Sequence, residues 1–330
     1  MRLVLPRLLN DEGAATVVDA VRSAADVPGE VTLDFSEVSW AWPFGTLMVA
    51  ESLRQLRSYR VQRDLPLNCL AQGVEAGHVS NASSYLQHVG MFKRAGWDAG
   101  KAPGEAPGSD TYLPITELRA SAFGEHGRER SEAIRAEARR LARMVLDDEC
   151  DRDLLTYGLT ETIRNVFEHS QRPACVVMAQ KYRASGIVEM AIVDRGRGVR
   201  ESLAEAYEDL TTARALEAAI EPGVSRAFAL GAGGNGVNGG FGLYMLSEMG
   251  RKFGEFAIWS EAQQLCNGDR RALKPRPFFR GTALKLCMRT GDSEYFGNWF
   301  AATVADGDRI RRPDSLAPDP AYRSPSLGWQ

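Results

Sequence analysis

Four short segments of this chain carry side chains of the kinds that hold a small charged ligand. Glu161-Thr-Ile-Arg-Asn165-Val-Phe-Glu-His169 repeats a polar residue at every fourth position. At about 100° per helical residue, Glu161, Asn165 and His169 share an arc of about 80°. A carboxylate there can orient a nucleophile, and a carboxamide oxygen can ligate a hard cation. Gly158 on the same stripe leaves room beside them, while Arg164, Glu168 and Tyr157 are read as directed elsewhere. Asp194-Arg-Gly196-Arg-Gly198 follows directly on the strand-like run Val188-Glu-Met-Ala-Ile-Val193. An aspartate closing a strand can accept a proton from an amino group, and two glycines let the backbone lie flat against a planar ring. Gly239-Gly240-Phe241-Gly242-Leu243 opens a helical pattern, and the free N–H groups of a helix entry suit an anion. Gly281-Thr282 heads the strand-like run Ala283–Met288, where a hydroxyl can reach back toward Asp194. Taken singly, these segments equally suit a polar helix flank, a turn with an Asp chosen for turn chemistry, a helix entry and a strand start.

The elements that must position these groups follow from periodicity. Arg128–Leu146 and Arg152–His169 read as helices, the second flanked by the apolar stripe Leu155, Leu159, Ile163, Val166 and Phe167. Val176–Tyr182 and Ile187–Val193 read as a hairpin about Ala184-Ser185-Gly186, with a further helix over Phe241–Met249 and strands near Phe256–Trp259 and Ala283–Met288. Helices grouped with hairpin strands predict an α+β sandwich with helices on one sheet face. Before Gly100, Val31–Phe35 alternates like a strand, Thr46–Arg60 has helical spacing, and Leu67–Ala71 reads as another short strand. Gly100–Asp110 holds three glycines and two prolines and reads as a linker. The expected organisation is a small α/β domain over 1–99, a linker over 100–112, a ligand-binding domain over 113–292, and a C-terminal extension with a Pro-rich tail over 293–330.

Composition narrows the classes. The chain has 330 residues with a net charge of -3, 44% hydrophobic and 25% charged, which excludes collagen-like, disordered and disulfide-scaffold classes. The charge balance gives no global pull toward nucleic acid or anionic lipid. The five cysteines are scattered with no CxxC pair, which suggests neither a zinc site nor a disulfide framework. No run approaches the ~20 apolar residues of a membrane span and no signal peptide is read, so a cytoplasmic location is the expectation. Ten of the 32 glycines fall between Gly223 and Gly254. Gly231-Ala-Gly233-Gly234-Asn-Gly236 matches GxGxxG, but it leads into Val-Asn-Gly-Gly rather than a helix and lacks a βαβ setting. No GxxxxGK[ST] occurs.

The order and spacing of the four segments resemble the GHKL superfamily, named for gyrase, Hsp90, histidine kinase and MutL, over about Thr116–Thr290. Glu161, Asn165 and His169 match its N box, and Asp194, Gly196 and Gly198 its G1 box. Gly240, Gly242 and Leu243 match the G2 box, and Gly281-Thr282 the last box. The resemblance implies a Bergerat fold, an α/β sandwich with a mixed sheet and helices on one face, binding ATP with Mg²⁺. It implies Asn165 as the Mg²⁺ ligand, Asp194 as acceptor of the adenine amino group supported by Thr282, and Gly196 and Gly198 beside the base. Gly240, Gly242 and Leu243 would face the phosphates, Glu161 would be the general base, and Val199–Gly239 the lid. Residues Leu33-Asp34-Phe35-Ser36-Glu37-Val38 and Gly45 resemble a STAS-like domain. The stretch Trp40–Gly45, however, lacks the hydroxyl acceptor which that family carries before its helix.

Three functions follow from the resemblance. One is a slow ATPase acting as a nucleotide-driven conformational switch on a protein partner. The others are an anti-sigma-factor-like protein serine kinase and a non-catalytic nucleotide-sensing scaffold. A protein partner is implied in each, and a homodimer is compatible with the superfamily.

Overall fold

The computed structural model describes residues 1–70, 81–124, 127–224, 240–292 and 296–310. The N-terminal module runs β1 (Arg2–Val4), β2 (Leu8–Leu9), α1 (Asp11–Ala24), β3 (Val31–Asp34), β4 (Trp40–Ala41), α2 (Pro43–Val61), β5 (Leu67–Leu70), α3 (Asn81–His88) and α4 (Met91–Ala95). Strands β1, β3 and β5 form a parallel sheet in that order. Helix α1, absent from the sequence reading, is capped by Asn10, whose side chain accepts the Gly13 N–H at 2.9 Å. Ala14, Val17, Val18, Val21 and Ala24 make its buried stripe. In α2 every residue from Pro43 to Leu53 is buried, the pattern of a helix enclosed on all sides.

The remaining chain gives β6 (Tyr112–Arg119), α5 (Gly127–Val145), α6 (Glu149–His169), β7 (Ala174–Tyr182), β8 (Ile187–Asp194), α7 (Val199–Leu203), α8 (Thr212–Ala219), α9 (Gly242–Phe253), β9 (Gly254–Asn267), β10 (Arg271–Arg289) and α10 (Phe296–Ile310). The protein is thus α+β. Five strands form one sheet in the order β6-β7-β8-β10-β9, antiparallel at every pairing. The expected mixed sheet is corrected here: β7–β8 and β9–β10 are both hairpins, and hairpins pair antiparallel. Gly250, just past the helix expected over Phe241–Met249, lies inside α9, where a Cβ would strike the backbone of Phe256.

Both faces of this sheet are covered, where helices on one face alone were expected. Val177, Met190, Ile192, Leu284 and Leu286 join a core with α5, α6, α9 and α10. The alternate residues Val176, Met178, Ala191, Val193 and Ala283 join the core of the N-terminal module, with α2 packed on β7, β8 and β10. Period-two alternation therefore divides each strand between two cores. The 100–112 connection is tied down at both ends: Lys101 N–H donates to the Gln87 carbonyl and Gly104 N–H to that of Ile115, while the Thr111 carbonyl accepts the Lys181 N–H.

Charged groups are buried in the contact between module and sheet. Glu189 Oε1 accepts the Phe44 N–H at 2.9 Å, at the first turn of α2. Burial raises Glu189 to about 7, against Lys285 and that N–H, which lower it. Lys285 Nζ lies 2.9 Å from Asp11 Oδ1 and 3.3 Å from Glu255 Oε1. Asp11, Glu255 and Cys266 bring ligand-type atoms within 4.8 Å of one another. The Lys285 ammonium lies among these carboxylates, so the group is a counter-ion cage for lysine.

Helix α10 occupies the start of the expected C-terminal extension. Phe296, Phe300 and Val304 bury one stripe, with Phe300 edge-on to Tyr157 at 5.0 Å and Trp299 edge-on to Phe253 at 5.0 Å. Among the described residues no helix is long and apolar enough to cross a membrane. The Pro-rich tail from Arg311 lies outside the described residues, as does the glycine-rich stretch Gly231–Gly236.

Candidate functional site

Helix α6 starts at an Asp148 cap, which accepts the Asp151 N–H at 2.9 Å, with Glu149 and Asp151 in its first turn. Its far end carries Asn165 and His169, both half-buried in the wall of a cleft bounded by α6, β8, β10, α7 and the start of α9. Glu161, one turn earlier, does not line this cleft. It is fully buried beneath the entry of α9, where a Cβ on Gly242 would collide with its Oε2. Arg164 Nη1 stands 3.6 Å from Glu161 Oε1 and Nη2 3.2 Å from Glu168. Arg164 and Tyr157, read as directed elsewhere, are buried, and Arg164 lies beside Glu161. Arg164 leans back toward the i−3 position, where helical neighbours meet.

The second wall is the end of β8. Asp194 is 3% exposed, and its Oδ1 accepts the Gly196 N–H at 2.7 Å. Burial pushes its carboxyl up to about 7, against the pull of that N–H and of the Arg195 and Arg172 guanidiniums. Thr282 on β10 is the register partner of Asp194 and also lines the cleft. Gly281 makes this approach feasible: at φ +121°, a Cβ there would strike the Asp194 carbonyl. Gly198 lines the cleft, whereas Gly196 packs against the Ser170 carbonyl at the end of α6. Of these two glycines, Gly198 alone borders the space for a ligand.

The cover and the third wall come from 199–224 and from the entry of α9. Helices α7 and α8 occupy the first part of the expected lid, and residues 225–239 lie outside the described ones. Ser260 Oγ accepts the Val199 N–H at 2.9 Å. Glu261, at φ +51°, takes Arg200 at 2.9 Å and Thr212 at 2.6 Å. A non-glycine residue in this region signals a constrained corner, here the one that anchors the cover to β9. Gly223 N–H donates to the Gly240 carbonyl at 3.0 Å, and Gly240 sits at φ +74°. Gly240, Gly242 and Leu243 line the cleft, and α9 begins with no side-chain cap on its first N–H groups.

One cleft thus gathers nearly all the residues singled out in the sequence, with Glu161 and Gly196 packed behind its walls. Its cavity volume is about 100 Å³, smaller than the roughly 300–1,000 Å³ of small-molecule sites, so a nucleotide would need the cover to open. Ile192, Ile258 and Leu284 supply an apolar floor. Sequence reading missed Arg197, Ser170 and Ser202, which also line it. Arg197 was visible only as the variable position between two glycines, and the two serines carried no pattern. No family model matches this chain, and neither a curated protein nor a solved structure does.

Proposed function

We propose that the cleft binds ATP with Mg²⁺, in a Bergerat-type domain of the GHKL kind, and that a STAS-like N-terminal module rides on the sheet's second face. The observation that carries this reading is the convergence of four sequence-distant segments, spaced in the GHKL order, on one cleft. The donor set suits the groups it would take. Asp194 is a buried acceptor already held on one oxygen by Gly196, so its other oxygen suits an exocyclic amino group. Thr282, its register partner, suits a supporting contact. Gly198 leaves the flat approach a base needs, and Ile192, Ile258 and Leu284 its apolar bed. At the opposite wall the uncapped N–H groups of α9, with Gly240, Gly242 and Leu243, suit phosphate oxygens. Asn165 offers a carboxamide oxygen, and one protein ligand is enough for an ion that keeps several waters. The ion, when bound, would neutralise phosphate charge.

The chain's own part is to bind, orient and cover. Helices α7 and α8, anchored through Ser260 and Glu261, would exclude water from one side. We read the output as a slow, nucleotide-driven conformational switch acting on a protein partner, with a homodimer compatible. Nucleotide sensing without turnover is a second reading. It is favoured by the seclusion of Glu161 beneath Gly242 and beside Arg164, which keeps the general-base candidate off the cleft surface. Incubation with γ-labelled ATP separates the outcomes. Release of free phosphate supports the switch, label retained on protein supports the serine kinase, and bound but intact ATP supports the sensor. Absence of any ATP binding contradicts all three.

A further inference from the structure

Among the described residues lining the cleft, Asp194 and Arg197 are the only carboxylate and guanidinium. Arg197 is held in an unusual way. It is buried, with 5% of its side chain exposed. Its Nε donates to the His169 carbonyl at 2.7 Å, and its Nη1 pairs with Glu205, between α7 and α8. Its Nη2 is buried and has no hydrogen-bond partner among the described residues. A buried, charged N–H pair without an acceptor is costly, and such groups are rare enough to require a reason.

The carboxylate and the guanidinium give the cleft a polarity that a ligand must match. Asp194 can only accept when ionised, and Arg197 can only donate. A complementary ligand carries an amino group at one end and anionic oxygens at the other. Arg197 hangs from the carbonyl of His169, about 6 Å of helical rise beyond Asn165, at the end of α6 that meets the 194–198 turn, and its tip reaches Glu205 in the cover. A guanidinium at a phosphate oxygen makes a charge-assisted bond, stronger than a bond to a neutral base or sugar atom.

We infer that Arg197 is a ligand-binding residue whose Nη2 donates to an anionic oxygen of the phosphate chain, and that its Glu205 pair ties the occupied cleft to its cover. This rests on the nucleotide reading above. Arg197 is then the direct link between ligand and cover: Nη2 faces the ligand, Nη1 holds Glu205, and Nε fixes the guanidinium plane against α6.

The test is a set of titrations of the whole chain with adenosine, ADP and ATP, in the presence of Mg²⁺, for wild type, Arg197→Gln and Arg197→Lys. Thermal scans of each variant accompany them. The inference predicts about a tenfold or larger loss for ADP and ATP in Arg197→Gln, a smaller loss in Arg197→Lys, and adenosine affinity within about twofold of wild type. It also predicts that ATP slows hydrogen exchange over 199–224 in wild type and fails to do so in Arg197→Gln. An equal loss for adenosine and ATP, or no loss, overturns it, since a structural or base-contacting arginine gives the first and a water-satisfied one the second. If Arg197→Gln does not fold, the same comparison in Arg197→Lys decides. If wild type binds none of the three ligands, the nucleotide reading has failed rather than the role of Arg197.

Discussion

Asp194→Asn perturbs the end of the cleft proposed to take the base while keeping its shape, and it carries two consequences of opposite sign. The Asn oxygen can still accept the Gly196 N–H that Asp194 Oδ1 accepts at 2.7 Å. The second oxygen becomes an NH₂ group and meets the ligand's amino group donor to donor. Losing a charge-assisted bond of about 1.5–3 kcal/mol, and leaving a buried donor unpaired, weakens ATP by about a hundredfold or more at 1.4 kcal/mol per decade. Stability moves the other way. Burial raises the folded carboxyl from 3.8 to about 7, so the folded state holds the proton more tightly than the unfolded chain. That stabilising contribution is complete below pH 3.8 and is lost as pH rises through about 7. The span of about three pH units corresponds to ~4 kcal/mol at 1.36 kcal/mol per unit. Asparagine has no such slope, so relative to wild type the variant gains stability from pH 5 to pH 8, by roughly 4 °C in Tm. Calorimetric titration at pH 8 and thermal scans at both pH values read the two effects. Wild-type affinity in the variant, or a stability difference independent of pH, refutes the reasoning. The same carboxyl predicts that ATP binding to wild type near pH 7 releases a fraction of a proton, seen by titrating in buffers of different ionisation enthalpy. Proton uptake would contradict it.

Further predictions follow from single contacts. Glu161→Ala retains ATP binding within a few fold and abolishes whatever turnover wild type has; unchanged phosphate release removes Glu161 from the reaction. Gly242→Ala forces a Cβ into Glu161 Oε2. An overpacking cost of about 1–3 kcal/mol and at least tenfold weaker ATP binding are expected, read by denaturant melts and titration. Glu189→Gln keeps an oxygen for the Phe44 N–H but removes a carboxyl raised from 4.5 to about 7. Around it lie Lys285 and Cys287 on β10, Tyr182 on β7, Tyr85 on α3, Asp11 on α1 and Glu255 on β9. The wild-type contribution is complete below pH 4.5 and fades as pH rises through about 7. The variant's stability relative to wild type therefore rises over that window in urea melts, and a flat difference contradicts the assignment.

The sequence announces the parts of this fold whose pattern is local and leaves silent those set by contacts between distant segments. The β7–β8 hairpin was legible because its two apolar runs flank Ala184-Ser185-Gly186. Helix α6 was legible because polar and apolar stripes lie side by side. Helix α1 was missed although Ala14, Val17, Val18 and Val21 have helical spacing, because the β-branched valines make a weak helical signal. The packing of the module on the second sheet face was hidden because alternation tells which residues share a face and says nothing of what covers it. In the cleft, Asn165, Asp194 and Thr282 stood out by spacing. Arg197 did not, since its importance lies in a bond to the His169 carbonyl and a pair with Glu205. Glu161 was legible as a residue, but its placement under Gly242 depends on how α9 crosses α6.

The central claim, that ATP occupies this cleft, is tested most directly by amide hydrogen exchange of the full chain with and without saturating ATP and Mg²⁺. The account predicts slowed exchange confined to the end of α6 at 165–170, the 194–198 turn and the entry of α9 at 240–246, with the 199–224 cover following. Protection at another surface with these three segments unchanged, or no protection anywhere, contradicts it.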